Sequence, residues 1–208
     1  MSWWIWLAAA VVYALFRAWY DNWRGPLRRD EIDSFMRSMQ GTSSAEKNDL
    51  AVVRDFLEHD DGREFVMLNL VRVERGDVPH PTTGVPTPGP ELLQQYIRSF
   101  MPALLRRGGH PAIVGRKIGG YVDAWHVPDD PGWTMMGYMR YRSRRDMMKL
   151  VLQPRFLAMH PFKMAGTAET FSFPTRPDLM LFASPRVWIG LVILIVASFA
   201  QIGVLLAR

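Results

Sequence analysis

The apolar residues of this chain are concentrated in two long runs, one near each end. The C-terminal run, Val187–Ala207, contains no charged residue, and its clearly polar side chains are Ser198 and Gln201. As a helix it would extend about 31 Å, which matches the hydrocarbon core of a bilayer. A buried helix of a soluble protein would normally show a polar face. The pattern therefore predicts a transmembrane helix over residues 185–208.

The N-terminal run, Trp3–Phe16, is shorter, and its length suits a signal peptide or a core helix as well as a membrane span. However, no basic residue precedes it and no clear small-x-small cleavage site follows it. Extended to Tyr20, the helix would measure about 27 Å, with Arg17 placed to snorkel. We favour a retained anchor, residues 1–23, over a signal peptide. The tryptophans predicted to lie at the membrane interface are Trp3, Trp4, Trp19 and Trp23.

Basic residues near the two runs predict their orientation. The nearest arginines lie between the runs: Arg24, Arg28, Arg29, Arg37, Arg176 and Arg186. None precedes the first run, and the terminal Arg208 alone follows the second. The positive-inside bias therefore predicts a two-pass protein of a bacterial inner membrane, with a cytoplasmic middle domain and both termini on the opposite side.

Between the runs, helical spacing gives way to strand spacing. Residues 24–62 carry two stretches of apolar side chains at helical spacing, which predict a helical collar. Phe65–Leu70 is apolar on both faces apart from Asn69, as in a central strand. The five prolines in residues 77–90 predict a stiff, extended loop.

The remaining pattern supplies two helices and three strands. Apolar positions from Leu93 to Leu105 predict the first helix, and a second is predicted to begin at Ser143 with Asp146 in a capping box. A strand interrupted at Gly119-Gly120 and a strand over 134–142 are predicted between them. Residues 155–166 join the second helix to a last strand, 167–173. Over 63–176, this order is that of the ferredoxin-like βαββαβ pattern, an α+β fold.

Several of these segments also resemble a known superfamily. They are "FVMLNLVRV", "LLRRGGHPAIVGR" and "GWTMMGYMRYRSRRDMMKLVLQPRFLAMHPFKMAG". Together with the last strand, covering about residues 65–173, they are similar to a family of small, largely uncharacterised proteins in the ferredoxin-like dimeric α/β-barrel superfamily. The resemblance implies that two sheets pair face to face in a homodimer or with a related domain. Its relatives include monooxygenases, haem-degrading proteins and lactone isomerases, so it implies no single activity.

Composition excludes several kinds of catalytic and metal site and limits the expected partners. The absence of cysteine excludes thiolate catalysis, iron–sulfur clusters and cysteine-type zinc sites. The net charge of +5 favours a surface facing anionic lipid headgroups or an acidic partner subunit. With no basic motif interleaved with aromatic residues, we expect no nucleic-acid partner. No histidine pair has metal-ligand spacing, so we also expect no metal site.

One group of polar residues is a candidate ligand pocket. We expect Asn69, Tyr138 and Arg140 to converge on the barrel interior, with His126 or His160 at its mouth. An arginine beside a tyrosine and an asparagine would bind a carboxylate or a phenolate. The alternative, which we favour, is that the polar groups of Asn69 and Arg140 have their hydrogen-bond partners across a dimer or partner interface. We expect no cofactor, and His160 is the candidate ligand if haem is bound.

Small and polar residues in the terminal helices are candidates for packing between membrane helices: Ala8, Ala9, Gly190, Ser198, Gln201 and Gly203. No catalytic set can be assembled from motifs. Our leading hypothesis is therefore a non-catalytic accessory or assembly subunit of a larger bacterial membrane complex, such as a respiratory or photosynthetic one. The alternative is a membrane-tethered enzyme or binder of a small lipophilic molecule, such as a quinone, an aromatic acid or haem, in the barrel interior.

Overall fold

The computed structural model describes residues 3–42, 48–178 and 184–207. Residues 43–47 of the predicted collar, and Arg208 beyond the second apolar run, lie outside the described residues. The chain forms two compact units. One is Arg24–Arg176, and the other combines Met1–Trp23 with Pro177–Arg208.

The central unit is a mixed α+β domain, as the pattern predicts. Its helices and strands run in the order α2 (Arg29–Met39), α3 (Leu50–Glu58), β1 (Phe65–Val73), β2 (Asp77–Pro79), β3 (Pro86–Pro88), α4 (Gly89–Leu105), β4 (His110–Arg116), β5 (Met135–Tyr141), α5 (Arg144–Val151), α6 (Pro154–Ala165) and β6 (Thr167–Thr175). The terminal unit contains α1 (Trp3–Tyr20) and α7 (Pro185–Leu206).

Four strands form one antiparallel sheet in the order β4-β5-β1-β6. The apolar strand β1 is central, as its composition predicts. In the sheet, Asn69 of β1 lies opposite Gly137 of β5 and opposite Ser172 of β6. Since side chains alternate between faces along a strand, this register determines the face on which every side chain of the sheet lies.

The hydrophobic core lies between the helices and one face of the sheet. Phe65 and Val71 of β1 and Tyr141 of β5 are buried there against helical residues. Residues from α2, α3, α4 and α5 complete the core: Ile32, Met36, Met39, Leu57, Leu93, Tyr96, Phe100, Leu104, Met147, Met148 and Leu150. The two helices before β1 thus share one core with the sheet.

The predicted cap of α5 is confirmed. The amide of Asp146 donates to Oγ of Ser143 at 3.1 Å, and that hydroxyl donates to the Asp146 carboxylate at 2.7 Å. The cap satisfies an amide that has no partner within the helix.

Two boundaries differ from the pattern-based predictions. Most of residues 155–166, expected as a connecting segment, belongs to α6, and Pro154 occupies the first turn of that helix, where a proline's missing amide costs nothing. The strand expected to resume after Gly119-Gly120 does not do so. Tyr121, Trp125 and Val127 lie exposed in the connection between β4 and β5.

The Pro-rich segment contains more regular structure than an extended loop. Asp77 pairs with Pro88 and Pro79 pairs with Pro86, which makes a two-stranded ribbon of β2 and β3. Helix α4 then starts at Gly89, inside the predicted loop, with a proline in its first turn.

A buried ion pair joins α5 to the start of α2. The guanidinium of Arg145, 3% exposed, donates to both carboxylate oxygens of Glu31 at 3.0 Å and to the carbonyls of Gly25 and Pro26 at 3.0 and 2.9 Å. These bonds from Arg145 lower the pKa of Glu31 to about 2. The same carboxylate accepts a bond from the Arg28 amide.

In the terminal unit, α1 and α7 pack against each other and are both long and apolar enough to cross a membrane. The Tyr13 hydroxyl donates to the Arg186 carbonyl at 3.0 Å. Asp21 accepts bonds from Arg17 and Arg186, both at 2.6 Å. Hydrogen bonds and ion pairs thus link α1 and the residues directly after it to the first turn of α7.

We expect Arg145→Met to lower the free energy of unfolding by about 3 kcal/mol, because the Glu31 carboxylate, whose side chain is 14% exposed, and two carbonyls lose the Arg145 guanidinium, although Glu31 keeps its contact with Arg24. Unfolding of the full chain in detergent micelles measures this. Because the pKa of Glu31 is lowered in the folded state, its contribution is complete above the ordinary value of 4.5 and is lost as the pH falls to about 2. The difference between the two proteins should shrink over that interval.

Arg54→Met is the matched control. Arg54 pairs with Asp33 and Glu58, but all three side chains are roughly half exposed, so this change should destabilise the protein far less. Equal losses of stability in the two variants would contradict the role given to the buried pair.

Candidate functional site

The central unit contains a cavity of about 490 Å³ between its helices and the core-facing side of the sheet. Its wall is mostly apolar. The sheet contributes Met67, Asn69, Val71, Val114, Met135, Gly137, Met139, Tyr141, Ser172 and Pro174. The helices contribute Leu93, Tyr96, Ile97, Phe100, Met101, Met147, Met148, Val151, Phe156, Leu157, His160 and Lys163, and residues in and around α2 and α3 contribute Met39, Thr42, Asn48, Asp49, Val52, Val53 and Phe56. Apolar walls with a few polar groups and this volume are typical of small-molecule sites.

Asn69 supplies a polar group in the middle of the sheet wall. Its amide nitrogen donates to the carbonyls of Met67 and Gly137 at 3.0 and 3.2 Å, which holds the side chain against the backbone of β1 and β5. Ser172 lies directly opposite on β6 and also lines the cavity. Two neutral polar side chains, those of Asn69 and Ser172, are therefore adjacent on the sheet side of the cavity.

Helix α6 supplies two basic side chains. His160 and Lys163 are three residues apart, and so lie on one side of the helix, and both line the cavity. The imidazole of His160 stacks on Phe156 with ring centroids 6.2 Å apart. The Lys163 amine is 6.0 Å from the centre of the Tyr96 ring. Burial lowers the pKa of Lys163 and raises the pKa of Tyr96 and Tyr141, so both phenols stay neutral.

The five predicted pocket residues do not form one group. Asn69 and His160 line the cavity, but Tyr138 and Arg140 lie on the opposite face of the sheet, paired with Leu68 and Val66. The expected convergence of Asn69 with Tyr138 and Arg140 is wrong. Asn69 lies opposite Gly137, and Tyr138 and Arg140, one and three residues further along β5, point to the other face of the sheet.

Arg140 has a partner within the domain. It is 3% exposed, and its Nε donates to the Glu64 carboxylate at 3.1 Å. His126 is exposed in the connection between β4 and β5, and its backbone adopts the left-handed conformation with φ of 53°. Neither residue reaches the cavity wall.

Lys163 and Gly137 were not identified from the pattern. Lys163 would follow from His160 by helical spacing, but only once residues 154–165 are assigned to a helix. Gly137 could be placed in the wall only with the strand register, which a single sequence does not provide.

The other face of the sheet, which we call the open face, is apolar and half exposed. Ile113, Phe171 and Phe173 retain 41–45% of their accessible surface. The rings of Phe171 and Phe173 stack with centroids 6.1 Å apart, and Trp133 packs edge-on to Phe171 at 5.2 Å. Leu68, Leu70, Met136 and Tyr138 complete this face by their strand positions.

The predicted packing residues of the terminal helices fall into two groups. Gly190 faces α1, since a Cβ there would lie 3.3 Å from the Tyr13 ring, and Gln201 has a buried side-chain oxygen with no hydrogen-bond partner among the described residues. Ser198 bonds to its own helix at the Leu194 carbonyl. Ala8 is exposed, Ala9 is partly buried, and Gly203 faces open space. The interface tryptophans Trp3, Trp4, Trp19 and Trp23 are 49–73% exposed.

Comparison with known proteins supports the fold alone. No protein-family model matches the chain, and no curated protein does. Its structure is similar to that of RPA0582, a protein of unknown function from Rhodopseudomonas palustris, with a TM-score of 0.54 and 22% identity over 64% of this chain and 97% of that one. The methylated form of RPA0582 gives a TM-score of 0.53 and 20% identity, covering 66% and 96%. These neighbours are uncharacterised small proteins with an α+β fold.

Proposed function

We propose that the central unit binds a small lipophilic molecule in the cavity between its sheet and helices. The observation that carries this proposal is the cavity itself, about 490 Å³ in volume and walled by methionine, aromatic and branched side chains. Methionines adapt to the shape of an occupant. Burial of apolar ligand surface against such a wall favours binding by roughly 25 cal/mol per Å². Asn69, Ser172, His160 and Lys163 are the groups that would orient the ligand.

Gly137 offers a direct test of occupancy. It lies in the cavity wall, and a Cβ added there would lie 3.1 Å from the terminal methyl of Met139, with no other side chain of the described residues within 4 Å apart from those of its two chain neighbours. Because that methyl is the end of a flexible side chain, Gly137→Leu should fold and fill part of the cavity. We expect calorimetric titration of the full chain in detergent with 2-naphthamide, a neutral aromatic probe, to show affinity reduced by about tenfold or more.

Gly115→Leu is the matched control. Gly115 lies opposite Met136 on the open face, and an added Cβ would meet that side chain at an ordinary 3.8 Å. This variant should bind 2-naphthamide as the unaltered protein does. No binding to the unaltered protein, or equal loss in both variants, would refute a ligand site in the cavity. A haem absorption band in the purified protein would identify haem as the occupant, with His160 as the candidate ligand.

For the fold, we propose the ferredoxin-like dimeric α/β-barrel arrangement. The element order and the strand order β4-β5-β1-β6 support it. The open face, with Phe171 and Phe173 half exposed, is the surface that a second copy or a related domain would cover.

For the location, we propose that α1 and α7 both cross a bacterial inner membrane, with the central unit in the cytoplasm and the termini on the other side. Most of each helix surface is exposed, whereas a core helix of a soluble protein would be buried. The arginines between the helices support this orientation.

Single cysteines test the orientation, because the chain has none of its own. In intact spheroplasts, an impermeant maleimide should label Leu206→Cys but should label Thr83→Cys, in the exposed segment between β2 and β3, only after permeabilisation. Labelling of Thr83→Cys in intact spheroplasts would reverse the proposed orientation.

As a second function, we propose that the protein is an accessory subunit of a larger membrane complex, such as a respiratory or photosynthetic one. The exposed small residues Ala8 and Gly203 favour close contact with further membrane helices. Native mass measurement after gentle extraction should show co-purifying subunits. A lone monomer or a simple homodimer would contradict this role while leaving the cavity proposal intact.

A further inference from the structure

Lys163, which is partly buried, differs in its surroundings from Arg140 and Arg145, the two buried arginines of the central unit. Arg140 pairs with Glu64, and Arg145 pairs with Glu31. Lys163 makes no ion pair and no hydrogen bond within the part of the chain that the structure describes. Its amine lies in the cavity wall, with the Tyr96 ring 6.0 Å away.

The charges along the cavity wall are unbalanced. Among the described lining residues the one carboxylate is Asp49, and its Oδ1 accepts the amides of Ala51 and Val52 at 2.8 and 3.4 Å as the cap of α3. His160 adds a second group that carries positive charge when protonated. A desolvated ammonium without a counter-charge is costly, and an anion brought by a ligand would supply the negative charge that the described residues around Lys163 do not.

We propose that Lys163 binds the acidic headgroup of the cavity's ligand, so that the ligand is a lipophilic acid whose carboxylate or phenolate meets the Lys163 ammonium while its apolar body fills the methionine-rich space. This inference rests on the proposed function. The neutral polar side chains of Asn69 and Ser172, on the sheet side of the cavity, would contact the ligand elsewhere.

Desolvation in the cavity wall disfavours the charged form of Lys163 and lowers its pKa. An anion within hydrogen-bond distance would stabilise the ammonium, and the bond would be charge-assisted. Selectivity for an acid over a neutral analogue of the same shape then follows from one residue.

Two isosteric probes separate this inference from the proposed function: 2-naphthoate, which is anionic, and 2-naphthamide, which is neutral. Each probe is titrated into the full chain in detergent. The unaltered protein should bind 2-naphthoate about tenfold or more tightly than 2-naphthamide. Lys163→Met should abolish that preference while keeping the affinity for 2-naphthamide, because methionine preserves an apolar wall.

Lys149→Met is the control, since Lys149 is exposed on α5 and does not line the cavity. It should retain the preference for the acid. If Lys163→Met also retains it, or if the unaltered protein binds both probes equally, the role of Lys163 is overturned and the cavity proposal stands. If neither probe binds the unaltered protein, both proposals fail. Binding of 2-naphthamide to Lys163→Met shows that the cavity of the variant is intact.

Discussion

The register in which β1 pairs with β5 is the constraint on which the central unit depends. Placing Asn69 opposite Gly137 puts Met67, Asn69 and Val71 on the side of the helices and sends Leu68 and Leu70 to the other side. Because the period of a strand is two, a slip of one residue would exchange the two sets. The same register places Gly137 where a side chain would otherwise occupy the cavity, so the cavity is a consequence of strand pairing as well as of helix packing.

The register also divides the polar residues into two roles. Arg140, one strand position from Met139, faces away from the cavity and pairs with Glu64, while Asn69 and Ser172 face into it. An arginine can be buried on this apolar sheet face only when a carboxylate pairs with it, and Glu64 supplies that carboxylate to Arg140. Lys163 lies in the cavity wall without a carboxylate partner among the described residues. That contrast is what distinguishes a structural cation from a candidate ligand-binding one.

Local signals in the sequence predicted most of the elements correctly. The continuous apolar run Phe65–Leu70, the apolar stripe of α4 and the Ser143–Asp146 cap each depend on neighbouring residues, and the structure contains the strand, the helix and the cap that they predict. The α+β class follows from their order. Helix α6 was not predicted as a helix, and Pro161, a helix breaker by propensity, lies in its interior. The set of residues that line the candidate site was not predicted for a different reason. It depends on the pairing register of the strands, which is a long-range property that the apolar pattern of one strand does not encode.

The proposed membrane placement and the proposed ligand support each other on physical grounds. A lipophilic acid is concentrated in and near the bilayer, so a binding domain tethered there meets it at a higher effective concentration than a freely diffusing one would. The basic surplus of the chain, +5 overall, favours contact with anionic lipid headgroups. An apolar cavity alone would take up any lipophilic molecule of suitable size. A lysine in the cavity wall, without a counter-charge among the described lining residues, converts that general affinity into a preference for acids, since every neutral competitor leaves the ammonium uncompensated.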